Sequence, residues 1–151
     1  MIDGVSVRPL RVIADERGRL MEMLRCDDPE FEKFGQVYMT TNYPGVVKAW
    51  HAHSRQSDNV VCVHGMIKLV LWDGRPDSPT RGELQEIVIG RDSPHLVHIP
   101  PGVFHGWKCI SPVESLVINT VTEPYDRLHP DEQRRPWDDP EIGYDWSVKF
   151  R

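Results

Sequence analysis

The chain has 151 residues, of which 39% are hydrophobic and 27% charged, with a formal net charge of −5. That length predicts one domain, 1–151, with a sizeable core, and the acidic balance excludes the broad basic face of a general nucleic-acid or membrane-surface binder. Three cysteines, Cys26, Cys62 and Cys109, lack any CxxC spacing and so give neither a disulfide framework nor a thiolate metal site.

The N-terminal stretch "MIDGVSVRPLRV" has no apolar centre of the signal-peptide kind. No apolar run approaches the ~20 residues of a membrane-crossing helix. A reducing, cytoplasmic setting is therefore expected, with no membrane partner.

Thirteen prolines and eleven glycines interrupt any long helical period, while short β-branched and aromatic runs recur between them. In chain order, a strand is predicted at Leu20–Leu24, then a short helix over "DDPEFEKFG", then strands at Gln36–Thr41, Val46–His51, Asn59–Val63 and Met66–Trp72. Leu84–Ile89, Leu96–Ile99 and Ser115–Val121 complete the set, with "YPG", "VHG", "WDG" and "IPPG" as turn signals. Many strands of five to eight residues predict an all-β fold that removes exposed edges, a jelly-roll barrel. From Glu123 onward strand periodicity fades, but Trp137, Tyr144 and Trp146 predict an ordered tail packed on the barrel.

The chemistry concentrates in "KAWHAHSRQSDNVVCVHG". Side chains alternate along a strand, so His51 and His53 share a face. Asp58 is the next polar residue able to follow them inward, and His105 ends "IPPGVFH". The spacing from Gly45 through His51, His53 and Asp58 to Gly65, then Pro100, Gly102 and His105, matches the two metal-site motifs of the cupin superfamily, with aspartate in place of glutamate. Such a donor set suits Fe(II), Mn(II), Zn(II) or Ni(II). The competing reading keeps these histidines as hydrogen-bonding pocket residues without metal.

The remaining histidines have simpler readings. His64 and His98 read as structural, and His95 and His129 as solvated. Trp50, Trp72 and Trp107 read as core, with stacking on a ligand open to Trp50 and Trp107. Cys62 reads as a small buried hydrophobe, and "DEQRR" as a solvated face.

Five ordered motifs carry a resemblance along Ala14–Trp146: "DERGRLMEML", "GQVYMTTNYPGVVKAWH", "WDGRPDSPTRGE", "IPPGVFHGW" and "WDDPEIGYDW". The chain resembles the sugar-nucleotide epimerases typified by dTDP-4-dehydrorhamnose 3,5-epimerase. The resemblance implies a cupin-type jelly-roll barrel, a homodimer, no cofactor, and a nucleotide-linked 4-keto-6-deoxysugar as substrate. It also implies His51 as the base that removes a proton beside the ketone, a step matched to a residue that titrates near operating pH.

By the same resemblance Arg17 and Lys48 face the phosphates, Glu22 and Gln36 hold sugar or base, and His105 lines the pocket. Lys48 stands where the family has arginine, keeping the charge without the bidentate fork. The family's enolate-stabilising lysine is replaced by Asp58, a pocket aspartate by Leu69, and the catalytic tyrosine falls on Ile118 or Asn119. The "HAH" segment is similar to the related sugar 3,4-ketoisomerases, in which a histidine pair shuttles a proton, so His53 is expected to assist His51. Two other readings stay open: a metal-dependent cupin enzyme using His51, His53, Asp58 and His105, and a non-catalytic relative that binds sugar nucleotides.

Overall fold

The computed structural model describes residues 1–149. In chain order the strands are β1 (Ser6–Pro9), β2 (Val12–Asp15), β3 (Gly18–Met21), β4 (Gln36–Asn42), β5 (Val47–Ala52) and β6 (Asp58–His64). They continue as β7 (Met66–Asp73), β8 (Leu84–Gly90), β9 (His95–Ile99), β10 (Val103–Cys109), β11 (Ser115–Val121) and β12 (Gln133–Arg134).

Two five-stranded sheets form, ordered β1-β9-β6-β11-β4 and β12-β5-β10-β7-β8, while β2 and β3 make a separate hairpin. The ladders are antiparallel. The architecture is all-β, as expected, but the two sheets face one another without closing into a barrel. Between them lies a core that includes Val60, Cys62 and Val117 from the first sheet and Ile67, Leu69, Leu71 and Trp107 from the second.

Both outer faces are also covered. Trp50, Val70, Trp72 and Phe104 pack under Ile142 and Trp146 of the C-terminal segment. Val61 and Leu96 pack under Met21, Met23 and Leu24. This double coverage explains why β6 and β7 read as nearly continuous apolar runs rather than alternating ones. The tail is ordered, with Trp146 buried and its indole donating to the Trp137 carbonyl at 3.0 Å; Trp137 itself is exposed.

Some predicted elements differ. No helix forms over "DDPEFEKFG"; Asp27–Glu30 are turns and a bend, and no helix occurs among the described residues. Arg8 draws Asp28 (2.8 Å) and Glu30 (3.0 Å) onto β1, and Pro29 sits inside so short a stretch that a helix has little to gain. The strand expected at Leu20–Leu24 is centred earlier and belongs to the β2–β3 hairpin. Strand β10, absent from the prediction, is central to the second sheet. All three cysteines are free.

The "DGRPDSPT" motif is a buried polar knot. The Asp73 carboxylate accepts from Ser78 Oγ (2.6 Å), Thr80 Oγ1 (2.7 Å) and the Arg75 guanidinium (2.8 Å). Arg75 also donates to the Asp3 carbonyl at 2.7 Å, and Thr80 Oγ1 accepts from the Asp3 amide at 2.9 Å, so the knot fastens the N-terminus to the β7–β8 loop. Burial opposes ionisation of Asp73, yet the donors from Arg75, Ser78 and Thr80 outweigh it and hold the carboxyl below the usual range.

Removing that charge leaves the Arg75 guanidinium without its partner. Asp73→Asn is expected to cost about 3 kcal/mol of unfolding free energy by urea titration. The contribution is complete above the unfolded carboxyl pKa of about 3.9 and fades as pH falls below it. A cost under about 1 kcal/mol at pH 7 contradicts the assignment.

Candidate active site

The site lies between the sheets, and strand pairing assembles it. β5 runs between β10 and β12, which sets His51 opposite His105 on one side and opposite Arg134 on the other. Asp58 opens β6 in the facing sheet. The His51 and His105 rings meet edge to face at 4.0 Å between centroids, and His53 stands 6.0 Å from His51 and 5.9 Å from His105. One ring nitrogen from each of the three lies within 4.8 Å of the others.

Tautomers follow from the backbone. His53 Nδ1 and His105 Nδ1 donate to the carbonyls of Asp131 (2.5 Å) and Val103 (3.1 Å). In the neutral ring each Nε2 is then a lone pair, and each lies 3.6 Å from Asp58 Oδ2. The other oxygen of Asp58 accepts from Gln56 Nε2 (2.9 Å) and Asn119 Nδ2 (2.7 Å), which fixes the carboxylate.

His51 opens on both lobes of a cavity, and His53 on one of them. Two adjoining lobes of about 410 and 320 Å³ share Tyr38, His51, Glu132 and Arg134 in their walls. Lys48 and Trp107 line one lobe; Gln36, His53 and Gln56 line the other. These volumes fall in the range of small-ligand sites. Burial, followed by the neighbouring His105, His53 and Arg134, holds the His51 imidazole well below the ordinary histidine range, so the ring is neutral.

Tyr38 is a site residue that the sequence reading missed. Its oxygen accepts from Asn119 Nδ2 at 2.9 Å, which leaves the phenolic proton available to a ligand. Burial, with Asp58 nearby, pushes the phenol up to about 12. Asn119 occupies one of the two positions where the family tyrosine was aligned, and its ladder partner on β4 is Tyr38. The signal was the alternation in "QVYMTTN", which places Gln36, Tyr38 and Thr40 on one face.

The C-terminal segment contributes more than packing. "DEQRR", read as a solvated face, supplies β12, and Glu132 and Arg134 enter the cavity wall. Asp131 accepts the backbone N–H groups of Ser54 (2.9 Å), Arg55 (2.9 Å) and Gln56 (3.2 Å), tying the tail to the turn that carries His53.

Of the expected ligand-holding residues, Gln36 and Lys48 line this cavity and His105 backs it. Lys48 Nζ donates to Thr40 Oγ1 (2.8 Å) and the Thr41 carbonyl (2.6 Å). Arg17 and Glu22 are placed elsewhere in the same chain. Arg17 sits at the tip of the β2–β3 hairpin, exposed and paired with Asp15 at 2.6 Å, and Glu22 pairs with Arg25 at 3.2 Å.

The family model for dTDP-4-dehydrorhamnose 3,5-epimerase matches residues 1–151. The chain belongs to the dTDP-4-dehydrorhamnose 3,5-epimerase family. It is 42% identical over 151 residues to the spore coat polysaccharide biosynthesis protein SpsL of Bacillus subtilis, covering 100% of both chains. It is 31% identical over 158 residues to the dTDP-4-dehydrorhamnose 3,5-epimerase of Methanothermobacter thermautotrophicus, covering 99% of this chain and 82% of that one.

Among solved structures, a dTDP sugar isomerase from Desulfovibrio desulfuricans superposes with a TM-score of 0.91 at 36% identity, covering 96% of this chain and 92% of that one. The resemblance read from the five motifs is thus confirmed across the whole epimerase-family match, and the fold is that of the family.

The titration of His51 separates this arrangement from a solvated histidine. In metal-free protein its imidazole NMR shifts are expected to remain those of the neutral ring as pH falls through about 6.5. The unfolded ring takes up a proton there and the folded one does not, so the folded state loses stability as pH drops below that value. A His51 midpoint at or above about 6.5 contradicts the buried, cation-flanked placement.

Proposed function

We propose that the protein epimerises a nucleotide-linked 4-keto-6-deoxysugar, with His51 as the base and Tyr38 as the proton donor. Membership in a family of sugar-nucleotide epimerases supports the reaction class. The observation that carries the residue assignment is the shared cavity: a neutral imidazole and a phenol with an uncommitted proton line the same walls.

The His51 lone pair takes the proton from the carbon beside the C4 ketone. The C–H electron pair becomes the carbon–carbon double bond, and the carbonyl π pair moves to oxygen as the enolate. The enolate oxygen pair then re-forms the carbonyl while the carbon–carbon π pair takes the Tyr38 O–H proton on the other face, which inverts the carbon and leaves Tyr38 as phenolate. Exchange with solvent returns His51 to the free base and the Tyr38 phenolate to the phenol. Lys48 and Arg134 offer positive charge to the diphosphate from the cavity wall.

His53 has its Nε2 turned to Asp58 at 3.6 Å, and we assign it to holding that end of the site rather than to proton transfer. The homodimer is part of this reading, with a second copy covering the exposed apolar Ile13 and Leu20 of the hairpin. No helix among the described residues is long and apolar enough to cross a membrane.

Turnover of dTDP-4-keto-6-deoxyglucose in deuterated water is the test. Deuterium is expected at C3, C5 or both, and His51→Asn is expected to lower the rate by about 10²–10⁴-fold. Tyr38→Phe is expected to leave deuterium exchange in place while reducing the inverted product. Absence of deuterium from every ring carbon, with this and other 4-keto nucleotide sugars, contradicts the proposal.

A further inference from the structure

The deepest part of the site has a feature that proton transfer does not use. Three electron-pair acceptors converge there without a donor: His53 Nε2, His105 Nε2 and Asp58 Oδ2. Both Nε2 atoms are buried and have no hydrogen-bond partner among the described residues. Their Nδ1–H groups are committed to the Asp131 and Val103 carbonyls, so neither neutral ring turns a donor inward without breaking that bond. Buried acceptors facing acceptors are costly.

A shared proton does not relieve them well, because 3.6 Å is longer than a hydrogen bond. It is the spacing of ligands around an ion: atoms about 2.0–2.2 Å from a common centre stand roughly 3–4 Å apart. Each donor also has the outer support typical of a metal ligand, a backbone carbonyl behind each imidazole and two amide N–H groups on the far oxygen of Asp58.

We infer that His53, His105 and Asp58 form a binding site for a divalent first-row transition-metal ion, beside His51 and the cavity. Two imidazoles and one carboxylate suit such ions and leave room for exogenous oxygen ligands.

The charge fits the substitution at position 58. The family's lysine brings a cation to the enolate oxygen; here an anion stands in its place, and an ion held by that anion restores positive charge. When bound, it supplies Lewis-acid polarisation of the sugar's ketone oxygen. This role rests on the epimerase reading above; the binding site does not.

Chelator-stripped protein is titrated with Zn(II) by calorimetry and with Co(II) by visible absorption, and its thermal midpoint is read with and without Zn(II). One ion per chain is expected, with a higher midpoint in Zn(II). Asp58→Asn and His53→Ala are expected to weaken binding by at least about 100-fold, beyond the effect of disturbing a supporting contact.

The Asp58→Asn variant carries a second, opposite readout. Its amide oxygen keeps the Gln56 and Asn119 bonds, and its NH₂ then faces the two orphaned Nε2 atoms. Its metal-free midpoint should therefore rise above that of metal-free wild type, which a variant that merely misfolds does not do. His51→Asn should bind Zn(II) within about 10-fold of wild type while losing deuterium exchange.

Failure of wild type to take up either ion overturns the site. So does binding undiminished in both Asp58→Asn and His53→Ala, and loss of binding in His51→Asn overturns the ligand set. Deuterium exchange at an equal rate in metal-free and Zn(II)-loaded protein overturns the role in turnover but leaves the site. Zn(II) binding without any exchange overturns the epimerase reading instead.

Discussion

The close approach of β5 and β10 is the constraint on which the site depends. Gly106 makes it possible: a Cβ there would lie 2.3 Å from the Ala49 Cβ, closer than two non-bonded carbons can come. With the backbones this near, His51 faces His105 across the ladder, and the register shifts between His105 and Trp107. Trp107 is thereby placed edge-on to His51, with its indole N–H on Asn42 Oδ1 at 3.0 Å. A bulkier residue at 106 would separate the strands and pull apart the pair on which base, cavity and buried acceptors all rely.

From that pair the site divides into two depths. The outer level is open and brings together His51, Tyr38, Lys48 and Arg134, the groups proposed above for proton transfer and for an anionic ligand. The inner level carries fixed acceptors, His53, His105 and Asp58, of which His53 also reaches one lobe of the cavity. Asn119 joins the levels, since its Nδ2 donates both to the Tyr38 hydroxyl at 2.9 Å and to Asp58 at 2.7 Å. One of the two positions where the family's tyrosine was expected is thus occupied by a residue that holds a tyrosine of the neighbouring strand.

Much of this was legible in the sequence, for physical reasons. Strands with β-branched runs between turn signals were placed to within a residue or two, because period and punctuation are local properties. The convergence of His51, His53, Asp58 and His105 was legible from alternation and spacing. Strand β10 was not, because Gly102 and two prolines made "IPPGVFH" read as a turn, and Gly106 beyond it serves a close strand contact. The helix over Asp27–Gly35 was expected from local composition and lost to the tertiary pull of Arg8. The entry of Glu132 and Arg134 into the cavity wall depends on a two-residue strand pairing far along the chain, which leaves no periodic signature.

The "SPT" signature, by contrast, helped recognise the family yet serves the fold, tying the N-terminus through Asp73 and Arg75. The histidine at 51 is where fold and chemistry meet. A crystal structure of the protein with a 4-keto nucleotide sugar tests that most directly. The account predicts a His51 ring nitrogen within about 3.5 Å of a carbon next to the ketone, with the Tyr38 hydroxyl on the opposite face of the ring. A sugar bound with its ketone turned away from His51, or with both groups on one face, would contradict it.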